Sequence, residues 1–218
     1  MNDPMTAPTP TGLIPLDDAV DRLRAGGVVA FPTETVFGLG ADALNPEAVE
    51  RVYAMKGREK GKAMPVIVAD LAMARRVTDG LTDRTRLLAE AFWPGPLTIV
   101  CPAKESIRGI VTAGGDTVAL RTPGLPWLCE LIRQVDRPLI APSANRAGAE
   151  PAKAVDDLLR AFSRELTDGD LACCAPIGEI PIGQRPSTII IPGTGPGDDR
   201  VIRQGPVTEA DLLRVGVH

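Results

Sequence analysis

The chain has 218 residues, 44% of them hydrophobic, and a formal net charge of −4, which predicts a globular protein without general attraction to nucleic acid. No apolar run is long enough for a membrane span, and the first residues lack the basic flank and apolar segment of a signal peptide, so we expect a cytoplasmic protein. The only histidine is His218 and there is only one tyrosine, which argues against histidine-based catalysis, a histidine-ligated metal and an aromatic platform for nucleobases.

Patterns typical of helices and strands alternate along the chain. Residues 1–12, rich in proline and threonine, predict a disordered lead, and 13–218 predict a single domain. LDDAVDRLRAGG predicts a helix that ends at its glycines, and VVAFPT predicts a buried strand that Pro32 stops. In NPEAVERVYAMKG, Asn45 suits the N-cap, Pro46 the first turn and Gly57 the C-cap.

The remaining segments continue this alternation. Strands are predicted at PVIVA, LTIVC, TVALR, PLIAPS, STIII and RVIRQG, and helices at TDRTRLLAEAFW, LPWLCELIRQV, KAVDDLLRAFSREL and TEADLLRVG. The interleaving predicts an α/β fold with one sheet packed against helices. The four cysteines show no metal-type spacing, and we expect reduced, mostly buried thiols.

A cluster of lysines follows one predicted helix. YAMKGREKGKAMP, residues 53–65, holds Lys56, Lys60 and Lys62, which are three of the five lysines, together with Arg58. From these residues alone, the segment is either a solvated helix end or an anion site. We expect Lys56→Ala and Arg58→Ala to change the stability by less than about 1 kcal/mol, because removal of a solvated charge costs little.

Two predicted strands are followed by turns that carry hydroxyl groups and glycines. FPTETVFGLG follows one strand, and APSANRAG, with Ser143 and Asn145, follows another. Ligands of open α/β sheets bind where such loops converge outside strand ends. Neither turn matches a GxGxxG or GxxxxGK[ST] phosphate loop. Glu34 in the first turn is either a general base or a structural turn residue.

Seven of these segments, in this order and at this spacing, resemble the YrdC-like threonylcarbamoyl-AMP synthases in their short, single-domain form. They are FPTETVFGLG, KGREKGKAMPVIV, FWPGPLTIV, VALRTPG, APSANRAG, STIII and VIRQG, and the resemblance runs from about Gly26 to Gly205. The KxR triplet (56–58) and the SxN triplet (143–145) of that family are both present. The resemblance implies a twisted, mixed sheet flanked by helices around a concave, positively charged cavity.

The resemblance also implies a reaction. Family members join L-threonine, bicarbonate or carbon dioxide, and ATP with Mg²⁺ into threonylcarbamoyl-AMP and pyrophosphate. The product serves the threonylcarbamoyl modification of tRNA adenosine 37, through a tRNA threonylcarbamoyl transferase complex. A nucleotidyl transfer of this kind needs positioned positive charge more than a histidine or a covalent nucleophile.

The resemblance further implies a set of site residues. The catalytic residues are Lys56, Arg58, Ser143 and Asn145. The ATP-binding residues are Arg58, Lys62, Thr117, Asn145, Lys153 and Arg203. The threonine-binding residues are Thr35, Arg121, Ser143 and Ser187. No residue is assigned to a metal.

Several positions depart from the family pattern and bear on fine specificity. Glu59 and Ala63 stand where prolines are usual, Phe37 replaces a tyrosine, Ala147 replaces a serine, and Lys153 replaces a serine or threonine. Three alternatives stay open: a non-catalytic paralogue that binds double-stranded RNA, a domain that makes a carbamoyl-adenylate from carbamoyl phosphate, and a structural or regulatory domain without a ligand.

Overall fold

The computed structural model describes residues 13–59, 61–176 and 185–216. Within these ranges the strands are β1 Val28–Pro32, β2 Phe37–Asp42, β3 Val66–Ile67, β4 Leu97–Pro102, β5 Thr117–Arg121, β6 Leu139–Ile140, β7 Leu171–Cys173, β8 Thr188–Ile191 and β9 Arg200–Arg203. The α-helices are α1 Leu16–Arg24, α2 Pro46–Lys56, α3 Leu71–Ala74, α4 Asp83–Phe92, α5 Pro126–Val135, α6 Val155–Ala161, α7 Ser163–Thr167 and α8 Glu209–Arg214. A short 3₁₀ helix spans Glu105–Ile107.

The strands form one sheet in the order β7-β1-β2-β6-β3-β5-β4-β8-β9. The pairs β1–β7, β3–β5 and β4–β8 are parallel, and the other neighbouring pairs are antiparallel. The predicted α/β fold with a mixed sheet and flanking helices is therefore confirmed. No helix among the described residues is both long and apolar enough to cross a membrane.

Local sequence explains how α2 begins and ends. The Asn45 side chain accepts hydrogen bonds from the backbone N–H groups of Glu47 and Ala48, and Pro46 occupies the first turn. Gly57 ends the helix at φ 58°, in the left-handed region that favours glycine. The lysine segment thus begins at the end of α2, as predicted.

The central strands and the helices enclose a continuous apolar core. Every residue of β1 is buried, and the fully buried side chains include Phe31, Phe37 and Phe162. The four cysteines are free and buried, which confirms that prediction. Burial raises the pKa of the Cys101 and Cys173 thiols to about 12, so both stay protonated at neutral pH.

The structure corrects the prediction in three places. The last four residues of FPTETVFGLG, interpreted as a turn, belong to β2, and Gly40 allows close packing because a Cβ there would lie 2.2 Å from the Phe31 ring. Strand β7 and helix α3 were not predicted. The helix predicted at KAVDDLLRAFSREL is divided at Phe162, whose backbone is not helical (φ −129°, ψ 28°). The predicted lead 1–12, Lys60 and His218 lie outside the described residues.

Candidate functional site

A cavity of about 230 Å³ lies where several loops meet the middle of the sheet. Its walls come from the turn after β1, the loop after α2, strands β4 and β5, the loop after β6, and the segment around β8 and β9. Its polar lining residues are Thr33, Thr35, Arg58, Thr98, Arg121, Ser143, Ser187 and Arg203. Three guanidinium groups and several hydroxyls therefore face one small space, a composition that suits an anionic ligand.

Arg121, the last residue of β5, anchors one side of the cavity. Its Nη1 donates to Glu34 Oε1 at 3.2 Å and to Thr35 Oγ1 at 3.2 Å, and the residue is only 7% exposed. Burial lowers the pKa of the Arg121 guanidinium, and the Glu34 carboxylate opposes this change. Only Nη1 of this guanidinium has a partner among the described residues. Arg121 thus keeps donors for a ligand carboxylate.

Glu34 lies behind Arg121 and is not part of the cavity wall. Its other oxygen, Oε2, is buried without a hydrogen-bond partner among the described residues. The Glu34 side chain packs so closely that a Cβ at Gly124 would lie 3.3 Å from its Cγ. This position favours the structural interpretation of Glu34, in which it orients Arg121, over the general-base interpretation.

Another part of the cavity wall is built on Ser187 and Arg203. Ser187 Oγ lies 2.8 Å from Thr98 Oγ1, and both hydroxyls are buried. Arg203 Nε and Nη2 donate to the Ser187 carbonyl at 3.1 and 3.0 Å, and Nη2 lies 3.2 Å from Ser187 Oγ. The pKa of Arg203 is lowered first by burial and then by the positive charge of Arg121. The two arginines therefore repel each other, and an anion between them relieves that repulsion.

Lys56 lies behind the cavity and fixes the loop that contains Ser143. The ammonium donates to the Ser143 carbonyl, to the Asn145 carbonyl at 2.8 Å and to Asn145 Oδ1 at 3.1 Å. Asn145 Oδ1 also accepts from Ser143 Oγ at 2.6 Å. Burial, and secondarily the charge of Arg58, lowers the pKa of Lys56 to about 8. The expectation of a solvated Lys56 is wrong: the residue is 3% exposed.

Arg58 and Lys62 differ sharply in position. Arg58 is half-buried and lines the cavity, with Nη2 donating to the Ala63 carbonyl at 3.0 Å. Its Nε is buried and lacks a hydrogen-bond partner among the described residues, as expected of a donor that awaits a ligand. Lys62 is exposed and forms an ion pair with Glu59 at 3.6 Å, outside the cavity lining.

Comparison with known proteins agrees with this arrangement. The family model named Sua5, YciO and YrdC, described as "Telomere recombination", matches residues 21–205. The chain belongs to the Sua5/YciO/YrdC family. It is 38% identical over 172 residues to the threonylcarbamoyl-AMP synthase of Pyrococcus abyssi, an alignment that covers 79% of this chain and 49% of that protein.

Two further comparisons show how much of each Sua5/YciO/YrdC relative this chain spans. The threonylcarbamoyl-AMP synthase of Nitrosococcus oceani is 38% identical over 66% of this chain and 78% of its own length. The crystal structure of P. abyssi Sua5 complexed with L-threonine matches with a TM-score of 0.82 and 32% identity, covering 94% of this chain and 61% of that one. This chain thus spans about half of the Pyrococcus relative and most of the Nitrosococcus relative.

In this Sua5/YciO/YrdC chain, the structure gathers most of the predicted site residues. Those that line the cavity are Thr35, Arg58, Arg121, Ser143, Ser187 and Arg203. Lys56 and Asn145 lie directly behind Ser143. Thr117 does not line the cavity. Its side chain is on the same face of β5 as that of Ala119, two residues later, which does line the cavity. Lys62 and Lys153 lie apart, the latter in a separate depression with Asp157 and Arg160.

Two polar residues that line the cavity of this Sua5/YciO/YrdC chain, Thr33 and Thr98, were not predicted from the sequence. Thr33 Oγ1 accepts from the backbone N–H groups of Thr35 and Val36 and donates to the Val36 carbonyl, so it shapes the turn. Thr98 supports Ser187 from the neighbouring strand β4. The alternation of β4 places Thr98 on the opposite face from Leu97 and Ile99, a signal that was available in the sequence.

Proposed function

We propose that this protein is an L-threonylcarbamoyladenylate synthase, which joins L-threonine, bicarbonate or carbon dioxide, and ATP and releases pyrophosphate. The observation that carries the proposal is the convergence of Arg58, Arg121 and Arg203 on one cavity that also contains the Ser143 and Ser187 hydroxyls. The similarity to proteins named threonylcarbamoyl-AMP synthase supports the same reaction. We further propose that residues 13–218 form a single domain.

In this proposal different residues of the cavity bind different parts of the substrates. Arg121 binds the threonine carboxylate with the donors that Glu34 and Thr35 leave unused, while Ser187 and Thr35 contact the rest of the amino acid. Arg58 and Arg203 bind phosphate oxygens. A complex of P. abyssi Sua5 with L-threonine supports the amino acid as a ligand of this fold.

The reaction has two steps, and the second requires positive charge beside two groups. The threonine amine first takes up bicarbonate as a carbamate with loss of water, and a carbamate oxygen then attacks the α-phosphorus of ATP. Negative charge accumulates on the α-phosphoryl oxygens and on the leaving pyrophosphate, and fixed guanidinium groups stabilise both. Holding carbamate and nucleotide together removes much of the entropic barrier to their reaction.

Mg²⁺ is proposed only as a companion of the nucleotide. Among residues 13–59, 61–176 and 185–216, no group of three histidine, cysteine or acidic side chains is placed to hold a metal ion. The ion would be held by phosphate oxygens of ATP, and no residue of the chain is assigned to it. We further propose a cytoplasmic location and delivery of the product to a tRNA threonylcarbamoyl transferase complex.

The test is a reaction of the purified protein with ATP, Mg²⁺, L-threonine and bicarbonate, followed by mass spectrometry of the adenylate and by pyrophosphate release. Product that requires both threonine and bicarbonate supports the proposal. Controls omit each of them in turn, or replace threonine by serine. Product from carbamoyl phosphate without bicarbonate would favour the carbamoyl-adenylate alternative.

Absence of product while ATP still binds would contradict the synthase proposal. The double-stranded RNA alternative would then gain support if binding to an RNA duplex weakened steeply with salt, because phosphate contacts release counterions. Binding of neither ATP nor RNA would leave the structural or regulatory domain as the remaining interpretation.

A further inference from the structure

Arg146, directly after the SxN triplet, is held by an unusually complete set of contacts. Its Nη2 lies 2.8 Å from each carboxylate oxygen of Glu165, its Nε donates to the Ala161 carbonyl at 3.2 Å, and its Nη1 donates to the Met55 carbonyl. The guanidinium carbon lies 4.7 Å from the centre of the Phe162 ring. All three guanidinium nitrogens have partners, so this arginine is held in one orientation.

These contacts join three parts of the fold. Met55 precedes Lys56 in the last turn of α2, while Ala161, Phe162 and Glu165 form the junction between α6 and α7. The last carbonyls of a helix lack partners within it, and Arg146 supplies a donor to each of two such helix ends. The interruption at Phe162 therefore has a consequence: it presents the Ala161 carbonyl and a fully buried aromatic ring to Arg146.

The same loop is attached to α2 at two other points. Lys56 Nζ contacts Ser143 and Asn145 from within, and the Ala147 N–H donates to the Lys56 carbonyl at 2.7 Å. Arg146 attaches the loop from the outer side, where its side chain is 41% exposed and that of Glu165 is 15% exposed. The end of α2 and the SxN triplet are thus fixed to each other from both sides.

We infer that Arg146 is a positioning residue for adenylate formation: its contacts with Glu165, Phe162 and Met55 set the placement of Ser143 and Asn145 relative to Arg58. This inference rests on the proposed function. Arg146 does not line the cavity, so it acts through the loop and does not touch substrate. Displacement of a catalytic loop by about 1 Å is sufficient to lower a rate by one or two orders of magnitude.

The competing interpretation is an ordinary surface ion pair. Exposed pairs contribute little to stability, and their loss leaves a distant active site unchanged. The neighbouring pair Arg164–Asp168 has this character, with side chains 87% and 51% exposed and a distance of 3.3 Å. Arg164 belongs to the same helix as Glu165, so Arg164→Met is a matched control for Arg146→Met.

The experiment measures kcat and both KM values of the full chain and of Arg146→Met, Arg146→Lys, Glu165→Gln and Arg164→Met. We expect Arg146→Met to lower kcat about tenfold or more, with KM for ATP and threonine within about threefold. Arg146→Lys and Glu165→Gln should lie between this variant and the wild type, since each keeps part of the network. Arg164→Met should stay within about twofold of the wild type.

Amide hydrogen exchange over residues 143–149 provides a readout that does not depend on product. We expect faster exchange in Arg146→Met and Glu165→Gln, and no change in Arg164→Met. Wild-type kcat in both Arg146→Met and Glu165→Gln, or equal loss in Arg164→Met, would overturn the inference. If Arg146→Met fails to fold, Arg146→Lys and Glu165→Gln decide. A wild-type protein without product would refute the proposed function, while unchanged exchange would refute the role of Arg146 in holding the loop.

Discussion

Lys56 and Asn145 belong to triplets that lie far apart in the sequence, and the structure joins them directly. The Lys56 ammonium donates to the Asn145 carbonyl at 2.8 Å and to Asn145 Oδ1 at 3.1 Å, and its third hydrogen bond goes to the Ser143 carbonyl. An ammonium has three donors, so all of them serve this loop. Lys56 therefore acts on the loop first, and through it on the cavity.

The first prediction concerns the stability of Lys56→Met. Methionine keeps the apolar stem but leaves the partly buried Ser143 and Asn145 oxygens without their donor, so we expect the free energy of unfolding to fall by about 1–3 kcal/mol. Urea denaturation measures this change. Lys62→Met, which loses only the exposed pair with Glu59, is the control and should cost less than about 1 kcal/mol. Equal stability of the two variants would contradict the contacts described for Lys56.

The second prediction concerns the titration of Lys56. Its pKa is lowered from 10.5 to about 8, so the charged amine opposes folding below pH 8 and this cost disappears as the pH rises toward 10.5. Deprotonation also removes one of the three donors, and activity should therefore decline above about pH 8. With ¹³C-labelled lysine, NMR should show one signal with a midpoint near pH 8 that is missing from Lys56→Met. A midpoint near 10.5 would contradict this environment.

Local sequence patterns were sufficient for most of the elements. Asn45, Pro46 and Gly57 define the ends of α2 because capping depends on neighbouring residues alone. The pattern was insufficient for β2, where Gly38 and Gly40 suggested a turn. Their role appears only when β1 is paired beside them and Phe31 packs over Gly40. Tertiary packing, and not the local turn propensity of glycine, determines the structure of this segment.

The candidate site was predictable in composition but not in the role of each residue. The family resemblance supplied Arg58, Arg121 and Ser187, and these residues meet in the cavity. Lys56 is buried against Ser143 and Asn145, which lie 87 and 89 residues further along the chain. No local pattern reveals a contact between segments so far apart. The positions of Lys62 and Lys153 likewise depend on how two surface loops turn, and neither side chain lines the cavity.

The third prediction separates the two cations of the loop after α2. Because Arg58 lines the cavity with an unpartnered Nε, we expect Arg58→Met to lower kcat/KM for ATP by about tenfold or more. Lys62→Met should change kcat/KM for ATP less than about threefold, since exposed charges act weakly through solvent. Steady-state kinetics with varied ATP decides between them. A larger loss for Lys62→Met would mean that the loop closes over the nucleotide and brings Lys62 into contact.

The fourth prediction concerns which substrate Arg121 binds. We expect Arg121→Lys to raise KM for threonine about tenfold, and KM for ATP by much less, because lysine lacks the paired donors that match a carboxylate. Lysine keeps the charge beside Glu34, which alanine would leave buried and unpaired. Glu34→Gln should raise KM for threonine more modestly, since Arg121 then loses its orienting partner. A larger effect on KM for ATP than on KM for threonine would mean that Arg121 binds the nucleotide and not the amino acid.

The last prediction concerns a buried ion pair outside the cavity. Arg84 in α4 pairs with Asp199, their side chains are 3% and 4% exposed, and Arg84 also donates to the Val215 and Leu212 carbonyls. The pair thus fastens α4 to the segment between β8 and β9 and to the end of α8. Asp199→Ala leaves the Arg84 charge buried and unpaired, so we expect the free energy of unfolding to fall by about 3–5 kcal/mol.

Asp168→Ala removes the exposed pair with Arg164 and serves as the control, with an expected cost below about 1 kcal/mol. Thermal and urea denaturation of both variants measure the difference. Since Ser187 and Arg203 flank the strands that this pair holds, activity of Asp199→Ala should also be lost at a lower temperature than that of the wild type. A cost for Asp199→Ala no larger than that for Asp168→Ala would mean that water reaches Arg84 and that the C-terminal strands are held by their own sheet pairing.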